Sequence, residues 1–224
     1  MAEKRKGFVL TLTDGRDVEL VELAPDEVLK AMRLAPEASP GARGFAVALE
    51  GLRLSVRKVA GVSVSFEDLV GNGWKSQFKV RETIALQAAW NQIHLPTEDQ
   101  VDAAREGMEV SAGSGGDLYT VTLDGLAVTF AELDVDQVQS SLRAGDRERS
   151  HAARQFAVAL EGLRRAVRSL GGAPVSAEDL AGTKWSNRFT TRQTFLLARL
   201  WDEVHVGTPE ENDAAGGLRA VSGT

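Results

Sequence analysis

The chain has 224 residues, no cysteine and a formal net charge of −6, and these three facts exclude several classes of protein. Without cysteine there is neither a disulfide nor a thiolate metal site, which is typical of a reducing compartment. The acidic balance disfavours nonspecific nucleic-acid binding, which depends on neutralising phosphates. There is no apolar core of a signal peptide and no run of the roughly 18–20 apolar residues that cross a bilayer. We therefore expect a globular cytoplasmic protein with no nucleic-acid or membrane partner.

A long internal repeat organises the sequence. FAVALEGLR occurs at Phe45–Arg53 and again at Phe156–Arg164, 111 positions later. Residues 42–104 match the chain at this spacing without a gap, and about half of the positions are identical. A period this long indicates a duplicated domain rather than a solenoid unit. We predict two tandem, pseudo-symmetric modules at 1–106 and 118–215, a linker at 107–117 and a flexible tail at 216–224.

Each module is predicted to begin with a β-hairpin. Apolar residues alternate around Asp14-Gly15 in the first module and around Asp124-Gly125 in the second. Asp-Gly favours the tight turn of a hairpin because its residues tolerate positive φ. A short helix follows, with acidic residues in its first turn, where the helix dipole favours negative charge. The strands are expected near 8–13, 17–22, 118–123 and 127–132, and the helices at Pro25–Leu34 and Asp134–Arg143.

Two longer helices are predicted to complete each module. The first is expected at about 43–60 and 154–170, with one apolar stripe in each copy and glycines at its end. A short turn with a Ser-x-x-Asp capping box follows, and the last long helix is expected at 80–93 and 191–204. The fold class is therefore α+β and mostly helical. The capping residues are Ser65, Asp68, Ser176 and Asp179, and the predicted stripes are Phe45, Leu49, Leu52, Val56 and Val59, and Phe156, Leu160, Leu163, Val167 and Leu170.

Candidate catalytic and metal-binding residues are few. His94 and His205 are the only histidines that the repeat pairs, and zinc needs three or four converging ligands at spacings that neither copy contains. We interpret each histidine as a cap or dipole partner at the C-terminal end of its helix. Neither a set of nucleophile and base nor a phosphate-binding loop is repeated. The sequence therefore predicts a protein that is not an enzyme and that uses no cofactor or metal.

All four tryptophans belong to the repeat. Trp90 and Trp201 lie on the apolar stripe of the last long helix, which predicts that they are buried in the core. Trp74 and Trp185 follow a glycine-containing turn, where an indole either plugs the edge of a core with its N–H hydrogen-bonded or contacts a partner. Both interpretations stay open from the sequence.

Ile84 and Phe195 lie nearly opposite the buried stripe of the last long helix, beside Arg81 and Arg192. Single exposed apolar residues are ordinary, but the same apolar position in both copies indicates a contact. The contact is with the sister module, another subunit or another protein. The candidate partner-binding residues are Ile84, Phe195, Arg81, Arg192, Trp74 and Trp185.

The order of these motifs resembles the small tail assembly chaperones of tailed bacteriophages and prophages. The resemblance is carried by the hairpin at Val121–Leu133, less cleanly by Leu10–Leu23, and by Ser65–His94 and Ser176–His205. It implies a non-enzymatic protein that binds the long, aggregation-prone tape-measure protein while the tail tube assembles around it. Members of that family usually have one module. A structural component of the tail or baseplate is therefore the alternative, and a general bivalent adaptor is a third interpretation.

Duplication itself favours a binding function. Two linked modules with similar surfaces raise the effective concentration of the second contact, and avidity then exceeds single-site affinity by about 10²–10⁴. Such an arrangement suits an elongated or repetitive partner. A homo-oligomer, or an internal pseudo-dimer that replaces one, is compatible with the same pattern.

Overall fold

The computed structural model describes residues 6–36, 39–113 and 116–206. It confirms the predicted α+β fold, because helices and an antiparallel sheet occur in each of the two copies along the chain. The first module contains β1 (Gly7–Thr11), β2 (Asp17–Val21), α1 (Pro25–Leu34), α2 (Pro40–Ser55), β3 (Val56–Val59), β4 (Val62–Ser63), α3 (Phe66–Leu69), α4 (Asn72–Gln77), α5 (Val80–His94) and α6 (Glu98–Glu106). The second contains β5 (Glu109–Gly113), β6 (Gly116–Leu123), β7 (Leu126–Ala131), α7 (Val135–Gly145), α8 (His151–Ala166), β8 (Val167–Leu170), β9 (Ala173–Pro174), a 3-10 turn at Glu178–Leu180, α9 (Thr183–Ser186) and α10 (Thr191–Val206).

Each module is a small antiparallel sheet packed against helices. The first sheet has the order β1-β2-β3-β4 and the second β5-β6-β7-β8-β9. The predicted hairpins are present: β1 pairs with β2 and β6 with β7. Asp124 and Gly125 have φ of 49° and 85°, which is the left-handed conformation that the Asp-Gly turn requires. The predicted capping boxes at Ser65 and Ser176 are also formed.

The second helix of each module is shorter than predicted. α2 ends at Ser55 and α8 at Ala166, and the residues after them form β3 and β8, which pair with the hairpin. Val56 and Val59 fit a helical stripe, but they also fit a strand with an extra residue, because Leu20 pairs with Val56 and Glu19 with Lys58, which leaves Arg57 without a partner residue in β2. β-branched residues favour the strand. Glycine at 61, predicted to end a helix, instead forms the turn of the β3–β4 hairpin.

The predicted linker at 107–117 contains a strand. β5 pairs antiparallel with β6 over five residue pairs and forms the outer strand of the second sheet. Pairing satisfies the backbone groups that β6 would otherwise expose at a sheet edge. Ser111, Ala112 and Gly113 therefore belong to the sheet, where the sequence predicts a linker. The predicted tail at 216–224 lies outside the described residues.

Contact between two helices explains the glycine that both copies of FAVALEGLR contain. Trp90 of α5 and Trp201 of α10 are buried, as predicted, and each indole lies against a helical glycine of the repeat. A Cβ added at Gly51 would lie 2.8 Å from the Trp90 ring, and one at Gly162 would lie 2.8 Å from the Trp201 ring. These glycines permit a close helix–tryptophan approach in both modules. Within the described part of the chain, no helix combines the length and apolar character needed to cross a bilayer.

Candidate protein-binding interface

Trp74 and Trp185 belong to the core. Both indoles are buried, and their Nε1–H groups donate to Thr83 Oγ1 and Thr194 Oγ1 at 2.9 Å. Each of these threonines lies nine residues later, on the first turns of α5 or α10. The assignment of the two tryptophans as partner-binding residues is therefore corrected, since a buried and hydrogen-bonded indole presents no surface to a partner.

The paired histidines hold the hairpin to the end of the last long helix. In module 1 the backbone N–H of Leu23 donates to His94 Nε2 at 2.8 Å, while His94 Nδ1 lies 2.8 Å from the carbonyl oxygen of Trp90. His205 makes the same two contacts in module 2. The ring of His94 is completely buried, and burial lowers its pKa to about 4. His94 is therefore neutral at pH 7, so it caps its helix by a hydrogen bond and not as a cation.

The two modules pack together through α1. This helix of module 1 lies along α8 of module 2 and also contacts α9 and α10. At its N-terminal end the carbonyl oxygen of Leu23 accepts a hydrogen bond from Thr191 Oγ1 at 2.5 Å. At its C-terminal end the carbonyl oxygen of Met32 accepts one from Ser150 Oγ at 2.8 Å. Module 2 therefore holds α1 at both ends.

Charged side chains add to this joint between the modules. The Arg33 guanidinium donates two hydrogen bonds to the Glu148 carboxylate, at 2.5 and 2.9 Å, and these lower the pKa of Glu148. The Arg192 guanidinium of α10 donates to the carbonyl oxygens of Gln92 and Ile93 at the C-terminal end of α5. A cation at that end also interacts favourably with the helix dipole. The predicted contact residue Arg192 thus touches the sister module.

The segment 97–113, which comprises α6 and β5 and which we call the strap, crosses from module 1 onto module 2. β5 pairs with β6, and α6 contacts β6 and α10. Arg105 forms an ion pair with Glu203 at 2.5 Å, and Arg199 pairs with Glu98 at 2.8 Å. Val101 of α6 is buried. The strap is therefore a second part of the joint, next to α1.

Equivalent surfaces of the two modules differ in what covers them. We call residues 45, 80, 81 and 84 the front face of module 1, and their counterparts 111 positions later, residues 156, 191, 192 and 195, the front face of module 2. In module 2, Phe156 is 5% exposed and Thr191 is fully buried, and the rings of Phe156 and Phe195 lie 5.1 Å apart. α1 packs along α8, the helix that carries Phe156, and the carbonyl oxygen of Leu23 just before α1 accepts a hydrogen bond from Thr191.

The front face of module 1 is open. Phe45 is 45% exposed, Val80 77% and Ile84 56%, and Arg81 is exposed as well. The Arg81 guanidinium has no hydrogen bond or ion pair with any described residue, whereas the guanidinium of its counterpart Arg192 donates to the sister module. The prediction that Phe45 belongs to the core stripe is wrong, because no described element of the fold covers this side chain. Ile84 and Arg81 lie in the open face and Phe195 and Arg192 in the covered one.

The sequence missed Phe45 and Val80 as surface residues. Phe45 stands at a helical spacing from Leu49 and Leu52, so it fits a core stripe as well as the residues that are buried. Val80 was detectable, because a valine at the first position of α5 replaces the polar Thr191 of the second copy. An apolar residue at an exposed helix start is the signal that could have identified this surface.

No protein-family model, no curated protein sequence and no solved structure matches this chain. The described residues contain no group of three or more His, Asp or Glu side chains that could hold a metal ion. The candidate site is therefore defined by its geometry: the front face is exposed in module 1 and covered in module 2.

Proposed function

We propose that the protein is a non-enzymatic protein-binding component of an assembly pathway, and that the front face of module 1 receives a helix of another polypeptide. One observation carries this proposal. The same face in module 2 is covered by α1, so the fold already contains one example of a helix docked on it. The open copy exposes two large apolar side chains, Phe45 and Ile84, and a third residue, Val80, beside an arginine.

Within this class we propose a tail assembly chaperone of a tailed phage or prophage, which works in the host cytoplasm and binds the tape-measure protein. The order of hairpin, capping box, tryptophan and histidine motifs supports this identity. A protein with two similar modules also suits a long client, because the second contact forms at a high effective concentration.

A structural component of the tail or baseplate is the second candidate. The joint between the modules supports it, because α1, the strap and Arg192 give this chain surfaces through which one module binds another. A general bivalent adaptor makes the same kind of contact with a different partner.

Affinity purification from the native source, with identification of the bound protein, tests the proposal. We expect a long, helical protein to co-purify with the chain, and Phe45→Asp combined with Ile84→Asp to reduce its recovery at least about tenfold, as is typical when interface anchors are lost. Val62→Asp is the matched control, because Val62 is exposed and its counterpart Ala173 is exposed too.

The outcome separates the candidates. Recovery of the tape-measure protein supports the chaperone, and recovery of tube, sheath or baseplate subunits alone supports the structural component. Undiminished recovery with the double variant contradicts the assignment of the front face.

A further inference from the structure

The joint between the modules is heterologous, which means that its two sides are different surfaces. Module 1 contributes the stripe of α1 formed by residues 25, 29 and 32, together with the end of α5 and the strap. Module 2 contributes its front face and the outer side of β6. A two-fold related pair would repeat each contact in reverse. In this chain the reverse contact is missing, because the front face of module 1 is open.

Module 2 carries an unused copy of the surface with which module 1 docks. The helix equivalent to α1 is α7, aligned at a spacing of 110 residues. Met32 of α1 is 9% exposed in the joint, whereas its counterpart Leu142 is 54% exposed. Pro25 is buried and its counterpart Val135 is 71% exposed. We call this exposed stripe of α7, residues 135, 139 and 142, the back face.

Module 1 also has an open site equivalent to the one that the strap fills in module 2. A groove of about 340 Å³ runs between β1 and α5, lined by Phe8, Val9, Leu10, Leu20, Ala89, Gln92 and Ile93. The counterparts of Leu10 and Ala89 are Val121 and Leu200, which are 1% and 0% exposed. The counterpart of Gln92 is Glu203, which holds Arg105 of the strap. β1 is the outermost strand of its sheet, whereas its counterpart β6 is paired with β5.

We propose that copies of this chain associate head to tail, with the front face of module 1 in one copy receiving the back face of module 2 from another, and with the groove receiving the segment after α10 of that other copy. The contacts repeat those of the joint within one chain: α7 lies along α2, and Arg81 donates to the carbonyl oxygens at the C-terminal end of α10. The inference rests on the proposed function, because it names a second copy as the partner of the same face. A heterologous contact of this kind builds a ring or an open filament.

The sequence after α10 supports this arrangement. Residues 208–224 repeat the strap at a spacing of 111, with Thr208, Asp213, Ala214, Ala215, Val221 and Ser222 identical to their counterparts. The strap of module 1 fills the site on module 2. By the same relation, residues 208–224 of one copy are the occupant that we assign to the groove of the next.

Sedimentation velocity of the purified chain, over a range of concentrations, is the first test. We expect the sedimentation coefficient to rise with concentration. Phe45→Asp with Ile84→Asp should raise the dissociation constant at least about tenfold, and so should Leu142→Asp at the other end. Val62→Asp should leave it unchanged. Both sets of changes are at exposed positions, so circular dichroism and thermal unfolding should show that the variants stay folded.

Mixing the two kinds of variant is the decisive test. The front variant keeps an intact back face, and the Leu142→Asp variant keeps an intact front face. Each alone should be monomeric, and an equimolar mixture should form a dimer and no larger species. A mixture that stays monomeric, or a wild-type chain that stays monomeric at all concentrations, overturns the inference.

A deletion of residues 208–224 tests the groove separately. We expect the truncated chain to associate at least about tenfold more weakly, and unchanged association would remove this segment from the proposal. Client binding distinguishes the two proposals. A monomeric chain that still retains a client through its front face overturns head-to-tail association and leaves the proposed function standing. A chain that self-associates but never retains a client overturns the proposed function and leaves head-to-tail association standing.

Discussion

The two front faces occupy equivalent places in equivalent modules, yet Phe156 is buried and Phe45 is not. Their immediate sequences are identical over nine residues, so the difference does not come from local composition. It comes from α1, which can cover only one of the two faces. The exposed fraction of a repeated apolar residue therefore depends on the neighbouring module as much as on the residue itself.

The interior does not share this asymmetry. Both modules keep a tryptophan against a helical glycine, a second tryptophan bonded to a threonine, and a histidine bonded to the hairpin. Changes to this shared interior should therefore have similar effects in both modules, whereas changes to the front faces should not.

The largest effect is expected from the shared core. Trp90→Ala and Trp201→Ala should each lower the free energy of unfolding by about 3–5 kcal/mol, because each empties a large buried site. Chemical denaturation of both variants measures this. If the free energy of unfolding fell by less than about 1 kcal/mol in one variant only, the two interiors would not be equivalent.

Acid should destabilise module 1 through His94. Its pKa is about 4 in the folded chain, below the ordinary value of about 6.5, so the unfolded chain binds the proton first as the pH falls. Stability is complete above about pH 6.5 and decreases toward pH 4, with about 2 kcal/mol lost by pH 5. Urea denaturation at pH 7 and 5 should show that His94→Gln removes this part of the pH dependence. His151→Gln, at an exposed position, should keep it.

Gly51→Ala and Gly162→Ala should each destabilise by about 1–3 kcal/mol, because the added methyl group overlaps an indole ring. Alanine is otherwise the better helix former, by about 1 kcal/mol. Gly44→Ala is the matched control, since no atom lies within 4 Å of its added Cβ. We expect thermal unfolding to show a gain for residue 44 and a loss for the other two. A gain at residue 51 would mean that the tryptophan does not need the glycine.

The smallest effect is expected at the covered front face. Thr191→Val gives module 2 the residue type of module 1 and removes the hydrogen bond to Leu23, which should cost about 1 kcal/mol. Val80→Thr, the reverse change on the open face, should stay within about 0.5 kcal/mol. Equal effects in the two modules would contradict the different environments of the two positions.

Sequence patterns predicted most of the internal structure of a module. The Asp-Gly turns, the capping boxes and the buried Trp90 and Trp201 follow from local rules that act within a few residues. β3 was missed because Val56 and Val59 fit the periods of both a helix and a strand that has an extra residue, Arg57, between them.

The joint could not be predicted in the same way. It depends on which of two related surfaces meets α1, and neither copy taken alone contains a signal of that choice. The signal lies in positions where the copies differ, such as Ala89 against Leu200 and Gln92 against Glu203. The partner-binding residues Ile84 and Arg81 therefore stay predictions. For Trp74 and Trp185 the sequence left two interpretations, of which burial in the core is the one observed and partner binding is wrong.

The strap determines where this chain can be divided. A fragment beginning at residue 118 would lose β5 and α6, and its β6 would present an unpaired sheet edge, which is a common starting point for aggregation. A cut near residue 96 would instead leave the second sheet with all five of its strands. The start of the second repeat therefore differs by about twenty residues from the point at which the second sheet can be separated with all of its strands.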